Sequence, residues 1–314
     1  MKINRDIYMC SKPLQYFNIR NTACVKRENR KTLIILDFFD DAKSFTDLVR
    51  TYDKTWDEVL FMRNKFEEYS YLLRHTCENL FVELDASFIL GLLHKLGCYK
   101  RMYLFEEGYG SYRRDRFGNA RGIKRWVNSL TGVSDRIGFS DFLTGQYLYL
   151  PELYKRQFPE STKQILPFEK DFVSRIKEDL PLFLKLSDGY DIFKTIERQK
   201  IAIYLTGHTV NPDIVEYMQS QRKDIDYLFV KPHPHLRDLS DFARYDMTVV
   251  HPNIMIEFLL LLLLENENEI TVYHENTTGV LWFQNKIHNC NMGKQYLEYE
   301  IVASYIRDNI LCEE

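Results

Sequence analysis

Short apolar runs, rich in aromatic and β-branched residues, recur along both halves of this 314-residue chain. Each stops at a polar, glycine or proline corner and gives way to a helical pattern. The clearest is Tyr227-Leu228-Phe229-Val230, halted at Lys231-Pro232-His233-Pro234. Proline fixes φ and biases the residue before it towards extended backbone, so His233 sits on a stiff corner just past a strand end. Strands alternating with helices build βα units and parallel sheets. Such sheets bind ligands beyond the carboxyl ends of their strands. The fold class is therefore α/β, and the chemistry is to be sought in the corner after each run.

In the first half, strands are expected at 6–10, 32–37, 58–61, 81–84, 101–105 and 146–150. Helices are expected at 16–24, 39–49, 64–76 and 86–96, the last stopped by Gly97. Residues 151–190 lack period-2 patterning and read as a connection holding a helix or two. The rhythm then restarts, with strands at 201–205, 226–231, 247–250 and 269–273. Helices fall at 212–221 and 254–265, and an amphipathic helical tail at 294–311. The expected domains are 1–155, an inter-domain connection at 156–195, a second domain at 196–292, and a C-terminal helix at 293–314 that packs back towards the first domain.

Composition narrows the class. Hydrophobic residues make up 45%, enough for a substantial core. With 42 Lys and Arg against 45 Asp and Glu, the net charge of −3 is too near neutral to indicate nucleic-acid binding by bulk electrostatics, and no nucleic-acid partner is expected. The six cysteines include no Cys-x-x-Cys pair and read as free thiols in a reducing cytoplasm. The N-terminus is polar and runs straight into a strand, which reads as having no leader segment. The most apolar stretch, 258–264, is far shorter than the ~20 residues of a spanning helix. No Cys/His cluster suggests a metal site. The single Asp-x-Asp, Asp224-Ile225-Asp226, opens a strand at its amino end. No metal or cofactor is expected.

Three corners stand out. After the run ending at Phe105 comes Glu106-Glu107-Gly108-Tyr109-Gly110-Ser111. Two neighbouring carboxylates in a partly buried cleft cannot easily both stay charged, so one should have a raised pKa, as a base working near neutral pH requires. The alternative is a solvated acidic turn. The second corner is Lys231 to Pro234, where a histidine beside a lysine suits a phosphate. The third is His274-Glu275-Asn276-Thr277-Thr278-Gly279, which reads as a helix N-terminus with free N–H groups and hydroxyls, an anion site or a plain cap. Two lesser corners are Ser11 to Gln15 and Thr206-Gly207-His208-Thr209. A carboxylate on one wall, with a histidine and a helix N-terminus on the other, suits attack on a carbon bearing a phosphate leaving group. The basic, aromatic segment 113–125 (Arg113, Arg114, Arg116, Arg121, Lys124, Arg125, with Phe117 and Trp126) reads as a solvated helix face, or as a contact to anionic lipid or an anionic acceptor.

These motifs, in this order, resemble the bacterial sialyltransferases of glycosyltransferase family 52, the lipooligosaccharide type. Its acidic-acidic-Gly, His-Pro and paired Ser/Thr motifs stand here as Glu106-Glu107-Gly108, His233-Pro234 and Thr277-Thr278. Pro13-Leu14-Gln15 resembles its opening. The resemblance implies a GT-B fold, two Rossmann-like domains facing across a cleft, and inverting transfer from CMP-sialic acid to a glycan hydroxyl without a metal. It implies Glu106 as general base and His233 as phosphate contact and general acid. Thr277 and Thr278 would hold the phosphate, and Glu257 the ribose. Thr206, Gly207, Lys231, Pro234 and Gln15 would line the donor side, and Ser11, Glu107 and Gly108 the acceptor side. It places the protein in the cytoplasm or at the inner membrane face. Here the acidic pair is Glu-Glu where Asp is common, the third motif is Thr-Thr rather than Ser-Ser, and His251-Pro252 competes with His233-Pro234. A polysialyltransferase, a transferase using CMP-Kdo, and a non-catalytic nucleotide-sugar-binding protein remain the other readings.

Overall fold

The computed structural model describes residues 4–23, 28–114, 122–187, 189–233, 236, 242, 245–294 and 296–313. The chain divides into two compact units, 1–171 and 172–314.

The first unit carries seven strands: β1 (Arg5–Cys10), β2 (Arg30–Leu36), β3 (Glu58–Met62), β4 (Cys77–Val82), β5 (Tyr99–Phe105), β6 (Gly145–Leu148) and β7 (Gln164–Pro167). Its helices are α1 (Pro13–Ala23), α2 (Ala42–Tyr52), α3 (Lys65–Arg74), α4 (Phe88–Lys95), α5 (Ile123–Thr131) and α6 (Pro151–Gln157). All strand pairs are parallel, in the order β3-β2-β1-β4-β5-β6-β7. The order reverses between β1 and β4, which makes the carboxyl ends of those two strands the switch point of the sheet, where α/β folds bind ligands. The inner strands are near-continuous apolar runs because both faces are covered. One core joins Ile7, Ile34, Leu80, Val82, Leu93, Met102 and Leu104.

The second unit holds α7 (Phe172–Leu186), α8 (Asp191–Lys194), β8 (Lys200–Leu205), α9 (Pro212–Ser220), β9 (Tyr227–Lys231), β10 (Thr248–Val249), α10 (Ile256–Glu265), β11 (Glu269–His274), β12 (His288–Asn291) and α11 (Leu297–Asn309). Its five parallel strands run β10-β9-β8-β11-β12, with the switch point between β8 and β11. The leucine run of α10 is buried, as its length implies.

Some elements differ from the sequence reading. Residues 151–190 are not a plain connection: they hold α6, the edge strand β7 and α7. β12 is a second strand that the sequence did not reveal. Both are short and largely solvent-facing, so neither shows a buried apolar run. β4 begins four residues earlier than expected and ends at Val82. α1 is buried around most of its circumference rather than amphipathic, because neighbouring loops satisfy its polar residues Gln15, Asn18 and Asn21.

Candidate functional site

The chemistry-bearing corners lie at the carboxyl edges of the two sheets, and each edge is built within its own unit.

In the first unit, β5 delivers Glu106 directly past its last residue. Its backbone N–H donates to the Tyr147 carbonyl (3.0 Å), which continues the β5–β6 ladder. The side chain is 3% exposed. Its Oε2 accepts from the Tyr112 hydroxyl and from the Tyr149 backbone N–H, the latter at 2.8 Å. No hydrogen bond from the described residues reaches Oε1. Burial drives the pKa up to about 7, although both hydrogen bonds pull it down. One oxygen is thus pinned and the other is left to take a proton.

Gly108 has φ +59°, a left-handed conformation that opens the one-turn 3-10 helix Gly108–Tyr112. That turn swings Tyr112 back onto Glu106, so the glycine places the tyrosine. Glu107 turns the other way. It accepts from Lys12 Nζ (2.7 Å) and Gln15 Nε2 (3.1 Å). Gln15 Oε1 accepts in turn from the Ser11 backbone N–H (2.7 Å) and hydroxyl (3.0 Å). Asn18 Nδ2 donates to the Glu106 carbonyl at 2.7 Å. Ser11, Gln15 and Glu107 therefore belong to one network that stitches α1 to the corner after β5, next to Gly108. Gln15, named above as a donor contact, lies in this first-unit network.

Sequence reasoning missed Glu83. It lies just past the true end of β4, at the switch point, where Ser11 Oγ approaches its Oε1 at 3.5 Å. Lys65 Nζ is 3.9 Å from the same oxygen and 2.9 Å from Glu68 Oε2. Burial raises the pKa of both acids, that of Glu68 to about 7. Placing the strand at 81–84 had set Glu83 inside it rather than at its end.

In the second unit, β8, β9 and β11 lie side by side and bring three corners together. The Thr206 hydroxyl, past β8, accepts the His233 backbone N–H at 2.9 Å and so fixes the corner past β9. The rings of His208 and His233 lie with centroids 4.3 Å apart. Lys231, the last residue of β9, is 8% exposed and donates to the carbonyls of Pro232 (3.2 Å) and Pro252 (2.7 Å). Burial lowers its pKa to about 8, opposed by the negative charge of Glu257. The competing His251-Pro252 thus adjoins the first His-Pro, through the Pro252 carbonyl. Pro234 lies outside the described residues.

Glu257, in the first turn of α10, is 6% exposed with its pKa raised by burial. It packs against Gly279: a Cβ there would stand 2.5 Å from Glu257 Oε1. Gly207 lies across the switch point, where a Cβ would be 3.8 Å from Glu275 Oε2. The expected helix N-terminus is a six-residue 3-10 helix, Thr278–Phe283. The Thr277 N–H is not free. It donates to His274 Nδ1 at 3.1 Å, and the Tyr299 hydroxyl donates to the Thr277 carbonyl at 3.3 Å. His274 is fully buried, and burial lowers its pKa to about 4, so the ring is neutral at pH 7 and Nδ1 accepts. That amide is therefore engaged within the loop itself. His274 and Tyr299, which hold the loop, were also unforeseen.

Among the described residues, no group of three or more His, Cys, Asp and Glu is placed to hold a metal ion. The five described cysteines are free. No helix among the described residues is long and apolar enough to cross a membrane.

No protein-family model matches the chain, and no curated protein matches it in sequence. Solved structures match over nearly its whole length. The UDP-GlcNAc 2-epimerase of Methanocaldococcus jannaschii, in complex with UDP-GlcNAc and UDP, aligns with 98% of this chain and 93% of its own at 15% identity and a TM-score of 0.56. S. aureus MnaA with UDP aligns with 98% and 88% at 9% identity and 0.55. The Neisseria meningitidis UDP-GlcNAc 2-epimerase bound to UDP-GlcNAc aligns with 97% and 92% at 9% identity and 0.52. At these identities the likeness is one of fold: two Rossmann-like α/β halves with parallel sheets of seven and five strands, the GT-B architecture.

Proposed function

We propose that this chain is an inverting sialyltransferase, which moves sialic acid from CMP-sialic acid to a hydroxyl of a glycan acceptor such as a terminal galactoside. The observation that carries the reading is Glu106. It is a buried carboxyl with one oxygen pinned, the other open, and a pKa raised to about 7. That is the state a general base needs at neutral pH. Glu107 is paired to Lys12 and less suited to the task.

In the proposed reaction, Glu106 Oε1 takes the acceptor hydroxyl proton as that oxygen attacks the anomeric carbon. The bond from this carbon to the CMP phosphate oxygen breaks on the opposite side, which inverts the centre. The hydroxyls of Thr277 and Thr278 meet the charge on the departing phosphate, and His233 supplies its proton. Thr206 holds the His233 backbone, and Lys231 braces both proline corners. Glu257, against Gly279, takes the ribose. The C-terminal switch point supports the donor assignment, since such crevices bind nucleotides in α/β folds. The membrane question apart, the partners are the CMP-sugar and the glycan, and no nucleic acid.

The test is turnover of CMP-sialic acid with a panel of galactosides and sialosides, with CMP-Kdo and UDP-GlcNAc run beside it. Transfer to a galactoside supports the proposal. Transfer only to sialosides indicates chain extension, and turnover of CMP-Kdo alone shifts the donor. Conversion of UDP-GlcNAc to its 2-epimer, the activity named for the proteins that share the fold, would overturn it. Glu106→Gln should lower transfer by about 10²-fold or more and leave CMP binding intact. A binding protein would show no turnover in either form.

A further inference from the structure

α5 is a helix with no buried residue. Its apolar side chains nevertheless fall on one stripe: Ile123, Trp126 and Leu130, 82%, 65% and 50% exposed, at spacings of three and four. A stripe of this kind normally faces a core. Beside it, α4 buries Leu90 and Leu93 but leaves Phe88, Leu92 and Leu96 at 46%, 46% and 61% exposure, again at helical spacing.

The two helices are packed closely. A methyl group on Gly91 would run into the carbonyl of Thr131, and Lys95 Nζ donates to the Leu130 carbonyl. The Lys95 bond reaches only the backbone of Leu130, whose side chain stays half exposed. Large exposed apolar patches mark interaction surfaces.

The rim decides the partner. Neither α4 (FILGLLHK) nor α5 (IKRWVNSLT) contains an acidic residue, while Lys95, Lys124 and Arg125 are all exposed. Among the described residues, no ion pair engages Lys124 or Arg125. A second copy docking by a two-fold axis would set this basic rim against itself, which is repulsive. An anionic lipid surface would satisfy it. Apolar side chains with an exposed tryptophan and flanking cations are the composition of helices that lie in the headgroup region. We infer that α4 and α5 form a docking surface for an anionic lipid bilayer, on which the protein rests without a spanning helix. This stands apart from the catalytic reading and survives its failure.

The experiment is sedimentation of the full-length protein with vesicles of phosphatidylcholine alone and of phosphatidylcholine with phosphatidylglycerol. Binding should be at least about tenfold tighter to the anionic vesicles and weaken as salt rises. Ile123→Ser with Trp126→Ser should lower it by a similar factor with no change in unfolding midpoint, since both side chains are exposed. Lys124→Glu with Arg125→Glu should abolish the preference for anionic vesicles. Trp126 fluorescence should shift to the blue on binding, because the other tryptophans, Trp56 and Trp282, are already buried. No sedimentation with either vesicle, or equal binding to both, would overturn the inference. So would a dimer in lipid-free buffer that the serine changes dissolve.

Discussion

Glu106 shows how one side chain can be tuned against the stability of its own fold. Its pKa of about 7 sits above the 4.5 of an ordinary glutamate, so the folded state binds this proton more tightly than the unfolded chain. Its contribution to stability is full below about pH 4.5 and is lost as pH rises towards 7. Above that, the buried charge costs up to about 3 kcal/mol. Glutamine carries no charge yet can still accept from Tyr112 and the Tyr149 N–H. Urea unfolding at pH 8 should therefore show Glu106→Gln more stable than the parent, with the gap closing towards pH 4.5. The same residue should set the acid limb of the transfer rate, which rises as pH passes about 7. A parent enzyme with no such limb would remove Glu106 from the base role.

At the level of elements, the two carboxyl edges are braced differently. The corner after β5 is held by a tyrosine swung round on Gly108 and by the polar side of α1. The corner after β11 is held from beneath by neutral His274 and from beside by Tyr299 of α11. Between the 3-10 helix Thr278–Phe283 and α10 the fit is close enough to make Gly279 a test. An alanine methyl there would meet Glu257 Oε1 at 2.5 Å and Ile256 Cγ2 at 2.7 Å, so the carboxylate must move. Gly279→Ala should weaken CMP binding by about tenfold or more in calorimetry while leaving the acid limb of the rate in place, as displacements of an ångström commonly do. Unchanged affinity would mean that Glu257 does not touch the nucleotide.

For the whole molecule, the division of labour between the units can be read out directly. A ligand that binds one native unit suppresses local opening there. CMP should slow amide exchange in the corners after β8, β9 and β11 and leave the corner after β5 unchanged. Protection confined to the first unit would reverse the assignment of donor and acceptor sides.

Much of this was legible in one dimension. The inner strands β1, β2, β8, β9 and β11 announce themselves because strands covered on both faces are near-continuous apolar runs, β5 shows the same only from Met102 to Phe105, and each stops where glycine, proline or a polar pair ends it. That rule placed Glu106, His233 and Thr277 past strand ends, where the structure has them, and it gave the α/β class. The edge strands β7 and β12 were not, because a half-exposed strand needs no apolar run. Glu83 stayed hidden behind a misplaced strand end. The pinning of Glu106 by Tyr149, 43 residues away, exists only because β5 and β6 are neighbours. The switch points beside Ser11 and Thr206 likewise follow from strand order. Local pattern reports which residues are buried and where a strand stops. Which strand ends become neighbours depends on how distant segments pair, and no window of sequence contains that pairing.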